Sequence, residues 1–293
     1  MASLREIKTR IGSVKSTQKI TSAMQMISSV KLRKAERQIV SFYPYEQKLK
    51  EILNTFLSSE EEFKSVCSEQ REIKRVAIVA FASNSSLCGS YNSNVIRKLR
   101  HRVEEYSSLG KENILVFPLG KKVAQAVKGM GLEAQGCFEQ LIDNPNYAEI
   151  QNLANKLIEM YLNKEIDAVE LIYHHFKSRG SQILLHENFL PANFDSYLEE
   201  NEAENLKNSL YLIEPGREEI IEELIPKTIR LRLYTVLLDA AASEHAARMI
   251  AMQVATDNAD ELLDDLTLQY NKSRQQAITN ELLDIIGGSF GQE

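Results

Sequence analysis

Two adjacent histidines, a Gly-Lys-Lys run, a polar Asn-Ser-Ser turn and three cysteines are the groups in this 293-residue chain best suited to chemistry. His174 and His175 lie in AVELIYHHFKS, an apolar, β-rich run that predicts a strand. Successive strand side chains point to opposite faces, so the two rings do not share one metal. His101, His186 and His245 have no partner at metal-binding spacing. Gly120-Lys121-Lys122 lacks the preceding GxxxxG and the Ser/Thr of a phosphate loop, and reads as a turn entering a helix. Asn84-Ser85-Ser86 could accept an anion at a helix start, although a polar strand-to-helix turn is the commoner use of such residues. No GxGxxG follows the first strand, and no serine or cysteine occupies a nucleophile elbow. The expectation is a chain with no catalytic constellation, no cofactor and no metal. Cys67, Cys88 and Cys137 are odd in number and form no CxxC, which reads as reduced thiols in a cytosolic compartment.

The elements around these residues alternate. Arg75 to Ser83 is a short apolar β-rich run, followed by the loop NSSLCGSYN and a helix predicted over 93–107. Ile114 to Gly120 predicts a second strand, and KKVAQAVKGMG a helix closing on glycine. AQGCFEQLI suggests a weaker third strand. Residues 146–162 read as an amphipathic helix. AVELIYHHFKS and SQILLHENFLP flank Arg179-Gly180, a hairpin signal. This alternation predicts a small Rossmann-like α/β domain over 73–192, with parallel strands and an antiparallel hairpin at one edge. Residues 193–223 read as an acidic, irregular loop with Glu214-Pro215-Gly216 as a turn.

Long helices flank this domain. Residues 1–60 open with the capping box Ser3-x-x-Glu6. An apolar stripe follows, through Ile7, Ile11 and Val14 and then Ile20, Met24 and Ile27. Pro44 predicts a kink. Residues 224–293 hold the longest regular stretch, which has no proline or glycine from Lys227 to Ile286. About 60 residues of helix would span about 90 Å, and such a helix needs a mate or a partner. The expectation is an antiparallel coiled coil of the two terminal helices. Its C-terminal stripe runs through Leu233, Leu237, Ala240, Ala247, Ile250, Val254, Leu262 and Leu266, drifting rather than holding strict heptads.

A hydrophobic content of 43% with no tryptophan suits helices packed on small side chains. The N-terminus has no apolar core of a secretory signal, and no apolar run reaches 18 residues, so membrane contact is expected only through a partner. The net charge of −6 excludes a generally basic nucleic-acid binder. The first helix is nonetheless a local positive rod, through Arg5, Lys8, Arg10, Lys15, Lys19, Lys31, Arg33, Lys34 and Arg37. On residues alone, an acidic protein partner, a nucleic acid bound by the basic helix and a small-ligand enzyme on the α/β domain remain open. The basic helix lacks the aromatics that would stack on bases.

Three segments carry a resemblance. TQKITSAMQMISSVK near the start, LCGSYN after the first strand, and SEHAARMIAMQVATDNADELLDDLTLQYNKSRQQAITNELLDIIGG near the end resemble the γ-subunit family of bacterial F-type ATP synthases. The likeness covers nearly the whole chain. Departures are Asn84-Ser85, where the family has Asp-Arg, and Ser289-Phe290 after Gly287-Gly288, where the family continues with alanine and small residues. The cysteine-bearing insert of the chloroplast form has no counterpart, so thiol regulation is not implied. The resemblance implies a central rotor shaft that couples c-ring rotation to ATP synthesis or hydrolysis and has no catalytic site of its own. It implies α and β subunits, the ε subunit and a c ring as partners, no nucleic acid, and a peripheral place on the cytoplasmic face of the bacterial inner membrane. By the same resemblance Met24, Arg248, Gln275, Thr279 and Glu281 would touch the α/β-subunit ring, and Glu214 the c ring.

Overall fold

A computed structural model describes residues 3–57, 66–192 and 216–290. The chain divides into two compact units, residues 1–29 with 248–293, and residues 30–247. Two long helices have residues in both units: α1 (Leu4–Leu57) and the last helix, Arg217–Phe290.

The larger unit is an α/β domain built on a four-stranded sheet. Its elements are β1 (Val76–Phe81), α2 (Tyr91–Glu105), β2 (Ile114–Leu119), α3 (Lys121–Gly129), α4 (Glu139–Asp143), α5 (Tyr147–Leu162), β3 (Ala168–Ser178) and β4 (Ser181–Leu190), with Arg217–Phe290 as α6. The strand order is β2-β1-β3-β4. β1 pairs in parallel with β2 and β3, and β4 closes the edge antiparallel to β3. This is the predicted sheet with its edge hairpin.

Every residue of β1 is fully buried, as expected of a central parallel strand covered on both faces. Its alternate residues feed two cores. Ala77, Val79 and Phe81 join Leu153, Leu157 and Tyr161 of α5 and Leu233 and Leu237 of α6. Val76, Ile78 and Ala80 join Val95 and Leu99 of α2 and Val123 and Val127 of α3.

Two expectations change here. The third weak strand is only an isolated bridge between Ala134 and Val116. Gly136, in the left-handed region at φ +94°, turns the chain at once, and Glu139–Asp143 then form α4. The last helix begins at Arg217 rather than after Pro226, and takes that proline into its interior. An interior proline costs about 3 kcal/mol through a lost hydrogen bond and a clash. Ile221, Ile225 and Ile229, spaced by four residues, are all buried, and their transfer from water offsets that cost. Residues 217–223 of the expected acidic loop are therefore helical, while 193–215 lie outside the described residues. α1 is likewise one helix through Pro44.

The smaller unit is a helix pair. The predicted capping box forms: Glu6 N donates to Ser3 Oγ at 3.2 Å, and Ser3 N to Glu6 Oε2 at 2.8 Å. Gln18 Nε2 donates to Asp260 Oδ1 at 2.9 Å, and the Thr21 and Thr256 hydroxyls meet at 2.8 Å. Numbers rise on one helix as they fall on the other, so the pair is antiparallel.

The seam differs from the predicted stripes. In α1, Ile7, Ile11, Val14, Gln18, Thr21, Gln25 and Ser28 are buried or half-buried, at alternating steps of four and three. In α6, Met252, Thr256, Ala259, Leu263, Leu266 and Tyr270 repeat that rhythm. The spacing is heptad, not drifting. Ile20 and Ile27, expected inside, are 60% and 58% exposed, and Val254 and Leu262 of the expected α6 stripe also face outward.

Candidate functional site

In an open parallel sheet, ligands bind outside the carboxyl ends of the strands where the chain reverses its order of addition. Here that point is the end of β1, since β2 is added on one side of it and β3 on the other. The LCGSYN segment stands there. Leu87 and Gly89 both take left-handed backbone, at φ +68° and +58°, and fold the chain back around Cys88. Asn92 braces the turn. Its Oδ1 accepts from Ser83 N at 2.9 Å, and its Nδ2 donates to Ser83 Oγ at 2.7 Å and to Cys88 Sγ at 3.2 Å.

The brace fixes Tyr91, the first residue of α2. Its ring stacks on the imidazole of His174, with centroids 4.5 Å apart. Its hydroxyl donates to the Ala240 carbonyl of α6 at 3.0 Å. Three residues on, Ser243 Oγ donates to the His174 carbonyl at 2.9 Å. Ala240, Ala241, Ala242 and Ser243 are all buried. A turn of α6 thus occupies the place where this class of fold receives a small molecule.

The predicted histidine geometry holds. His174 is buried, and burial alone pushes its ring down to a pKa of about 4. His175 faces the other way, with Nδ1 2.7 Å from Asp239 Oδ2. Among the described residues no cluster of His, Cys, Asp or Glu could hold a metal.

Gly120 enters α3, as its sequence suggests, but the turn has a steric purpose. At φ +107°, a Cβ there would lie 2.1 Å from the Ala82 carbonyl oxygen, so only glycine lets β2 pass the end of β1. Asn84-Ser85-Ser86 is not a helix start, because α2 begins at Tyr91 after Ser90. Asn84 is instead a three-way tie. Its Oδ1 accepts from Lys121 N at 3.0 Å, and its Nδ2 donates to Glu139 O and Asp143 Oδ2, both at 2.8 Å. An aspartate could make only the first bond, so the departure at this position matches its neighbour Asp143.

One polar cluster escaped sequence reasoning. Glu170, buried in β3, accepts from Arg102 Nε at 3.0 Å, Tyr106 OH at 2.6 Å and His186 Nε2 at 3.0 Å. Burial would raise its pKa, but the bonds from His186, Arg102 and Tyr106 prevail and hold it down at about 2. Both carboxylate oxygens are occupied, and the cluster bolts α2 to the hairpin. The only local signal was one glutamate inside an apolar strand. A cleft of about 400 Å³ opens between Phe42 and Tyr43 of α1, Phe176 of β3, Leu185 of β4 and Asp239 of α6. Its Arg232 is engaged by Glu187 and Tyr173, and its Asp239 by His175.

The resemblance-derived contact residues that are described fall in the helix pair, in two groups. Met24 lies one turn beyond Thr21 and Arg248 two turns before Thr256, so the antiparallel ties put both toward the same end of the pair. Both are half-buried. Gln275, Thr279 and Glu281 are exposed, and Thr279 Oγ1 donates back to Gln275 O at 2.9 Å. Extending the register of the two cross-helix bonds brings Leu4 level with about residue 273. The second group therefore lies on a length of α6 for which α1 has no opposing residues. Ile278, Leu282, Leu283, Ile285 and Ile286 are exposed on the same length. Glu214 lies outside the described residues.

A family model described as ATP synthase matches residues 3–290. The chain is 56% identical to the ATP synthase gamma chain of Bacteroides thetaiotaomicron, over 99% of this chain and 100% of that one. It is 43% identical to the ATP synthase gamma chain of Flavobacterium johnsoniae, over 99% and 98% of the two chains. Its fold is similar to a chain in the Euglena gracilis mitochondrial ATP synthase OSCP/F1/c-ring structure in rotational state 3. That match has a TM-score of 0.64 at 18% identity, covering 99% of this chain and 94% of that one. A chain in the Tetrahymena thermophila mitochondrial ATP synthase central stalk and c-ring structure matches with a TM-score of 0.55 at 22% identity, over 80% and 99%.

Proposed function

The chain belongs to the ATP synthase gamma-chain family, and we propose that it is the central shaft of that machine. Proton-driven rotation of a c ring turns it, and it drives ATP synthesis on a surrounding ring of α and β subunits, or is driven by hydrolysis there. The observation that carries this reading is the helix pair. Its seam holds polar residues while Ile20, Ile27, Val254 and Leu262 face outward, and its last turns carry an exposed apolar end. In water that arrangement is unfavourable. Inside a sleeve of partner subunits the outward apolar residues are covered, and an apolar end turns without having to break ion pairs at each step.

Rotation does useful work only if the shaft presents different faces. Arg5, Lys8, Arg10, Lys15 and Lys19 lie exposed on α1, and Asp257, Asp260, Glu261, Asp264 and Asp265 lie exposed on α6. The pair therefore carries opposite charge on its two helices. Met24, Arg248, Gln275, Thr279 and Glu281 are the proposed contacts with the α/β-subunit ring. Residues 73–192, with the acidic segment that follows and Glu214 in it, are the proposed seat on the c ring and the ε subunit. The chain has no catalytic site of its own in this reading, which the helix turn filling the sheet's crevice supports. Its proposed place is the cytoplasmic face of the bacterial inner membrane, held there by its partners. Among the described residues no helix is long and apolar enough to cross a membrane.

Reconstitution tests the reading. Purified α and β subunits mixed with the full chain are expected to give an assembly with one copy of the chain per three α–β pairs and restored ATP hydrolysis. Failure to associate overturns it.

A further inference from the structure

Torque has to pass between the α/β domain and α6, and a smooth apolar contact resists rotation about a helix axis poorly. Ala240, Ala241 and Ala242 are buried and offer only methyl groups to their neighbours. Among the described residues, two fully buried polar ties act on this single turn: Tyr91 OH on the Ala240 carbonyl and Ser243 Oγ on the His174 carbonyl. Residues three apart share one helix face. One tie enters the helix and the other leaves it. The stack of Tyr91 on His174 joins the two anchoring residues to each other.

We propose that Tyr91, His174 and Ser243 form a bracket that fixes the rotational setting of α6 against the sheet and carries torque between them. The inference rests on the shaft reading and gives the LCGSYN turn its role, which is to aim Tyr91. The bracket closes into a ring: Tyr91 to Ala240, along one turn to Ser243, from Ser243 to His174, and from His174 back to Tyr91. The Ala240 carbonyl, with two lone pairs, can serve Tyr91 as well as its own helix. Ser243 bonds a strand carbonyl across the interface, where a helical serine more often bonds back along its own helix. Tyr91 opens α2 and His174 lies in β3, two residues past Ile172, the last β3 partner of β1. A twist of α6 therefore loads two elements of the sheet domain together.

The test uses the reconstituted rotary complex with the end of α6 immobilised in the subunit ring and a probe on the α/β domain. Equilibrium angular fluctuations of the probe report torsional stiffness. Tyr91→Phe and Ser243→Ala each remove one hydroxyl and keep the packing. Together they are expected to raise the angular variance about twofold, since each removed bond is a modest one. Tyr161→Phe is the control. It deletes a hydroxyl bonded to Glu69 O and not to α6, and is expected to leave the variance unchanged. An unchanged variance in the double variant, or an equal rise in the control, overturns the bracket. A wild-type complex that assembles but does not rotate overturns the shaft reading itself, and the bracket with it.

Discussion

The two units of this molecule place their apolar residues in opposite ways. In the α/β domain all six residues of β1 are fully buried, and the sheet is sealed by helices on both faces. In the helix pair Thr21 and Ser28 are inside while Ile20 and Ile27 are outside. The first arrangement is complete in water. The second becomes favourable only when something else supplies the apolar surroundings. Local polarity thus distinguishes a body that folds for itself from one that folds for a sleeve.

The largest effect should come from the end of α6. Deleting residues 279–293 removes the exposed apolar end and is expected to abolish most ATP-driven proton pumping in the assembled enzyme, with no change in the melting temperature of the α/β domain. Undiminished pumping would remove the end from the mechanism. Next is Glu170→Gln, which leaves half-buried Arg102 beside a neutral amide and should lower the domain's unfolding free energy by about 2 kcal/mol in denaturant titration. Asn84→Asp sets a carboxylate against the Glu139 carbonyl and Asp143. A loss of about 1–2 kcal/mol is expected, and Asp143→Asn in the same chain should recover much of it.

Acid should separate two of the domain's buried groups. His174 titrates at about 4 when folded, and an unfolded histidine at about 6.5. The unfolded chain binds more protons between those values, so stability falls as pH drops from about 6.5 to about 4. His174→Phe keeps the stack on Tyr91 and should flatten that part of the curve. Glu170 titrates at about 2 when folded, from an ordinary value of 4.5, so its stabilisation is present above about 4.5 and is lost toward 2. The two variants should flatten different windows, and a single shared window would contradict the assignment. The smallest effect belongs to the helix pair. Thr21→Val with Thr256→Val replaces a buried hydroxyl pair by apolar groups of the same shape, and should leave amide exchange in the pair unchanged or slow it by at most about 1 kcal/mol of protection.

The sheet was legible in the sequence because its signals are local. Apolar runs at Val76 and Ile114 and the Arg179-Gly180 turn each mark their own element, and a buried strand looks the same whatever lies beyond it. The helix seam was half legible. Ile7, Ile11 and Val14 announce it, but Gln18, Thr21 and Gln25 continue it in polar residues while Ile20 and Ile27 advertise the wrong face. Hydrophobic periodicity assumes that the outside of a helix is water, and this pair violates that assumption. The Glu170 cluster was not legible, since Arg102 and Tyr106 stand 68 and 64 residues from it. Pro226 misled about the start of α6 because a proline's local cost says nothing of the isoleucines packed on either side of it.

A sheet crevice filled by the chain's own helix has a consequence for regulation. Domains of this architecture commonly receive a small molecule at that crevice. Here the occupant is covalently tethered, so its effective concentration is set by the fold and not by the cell. In the proposed shaft, a part that works beside nucleotide sites, its mechanical response is therefore expected not to follow the levels of ATP and ADP.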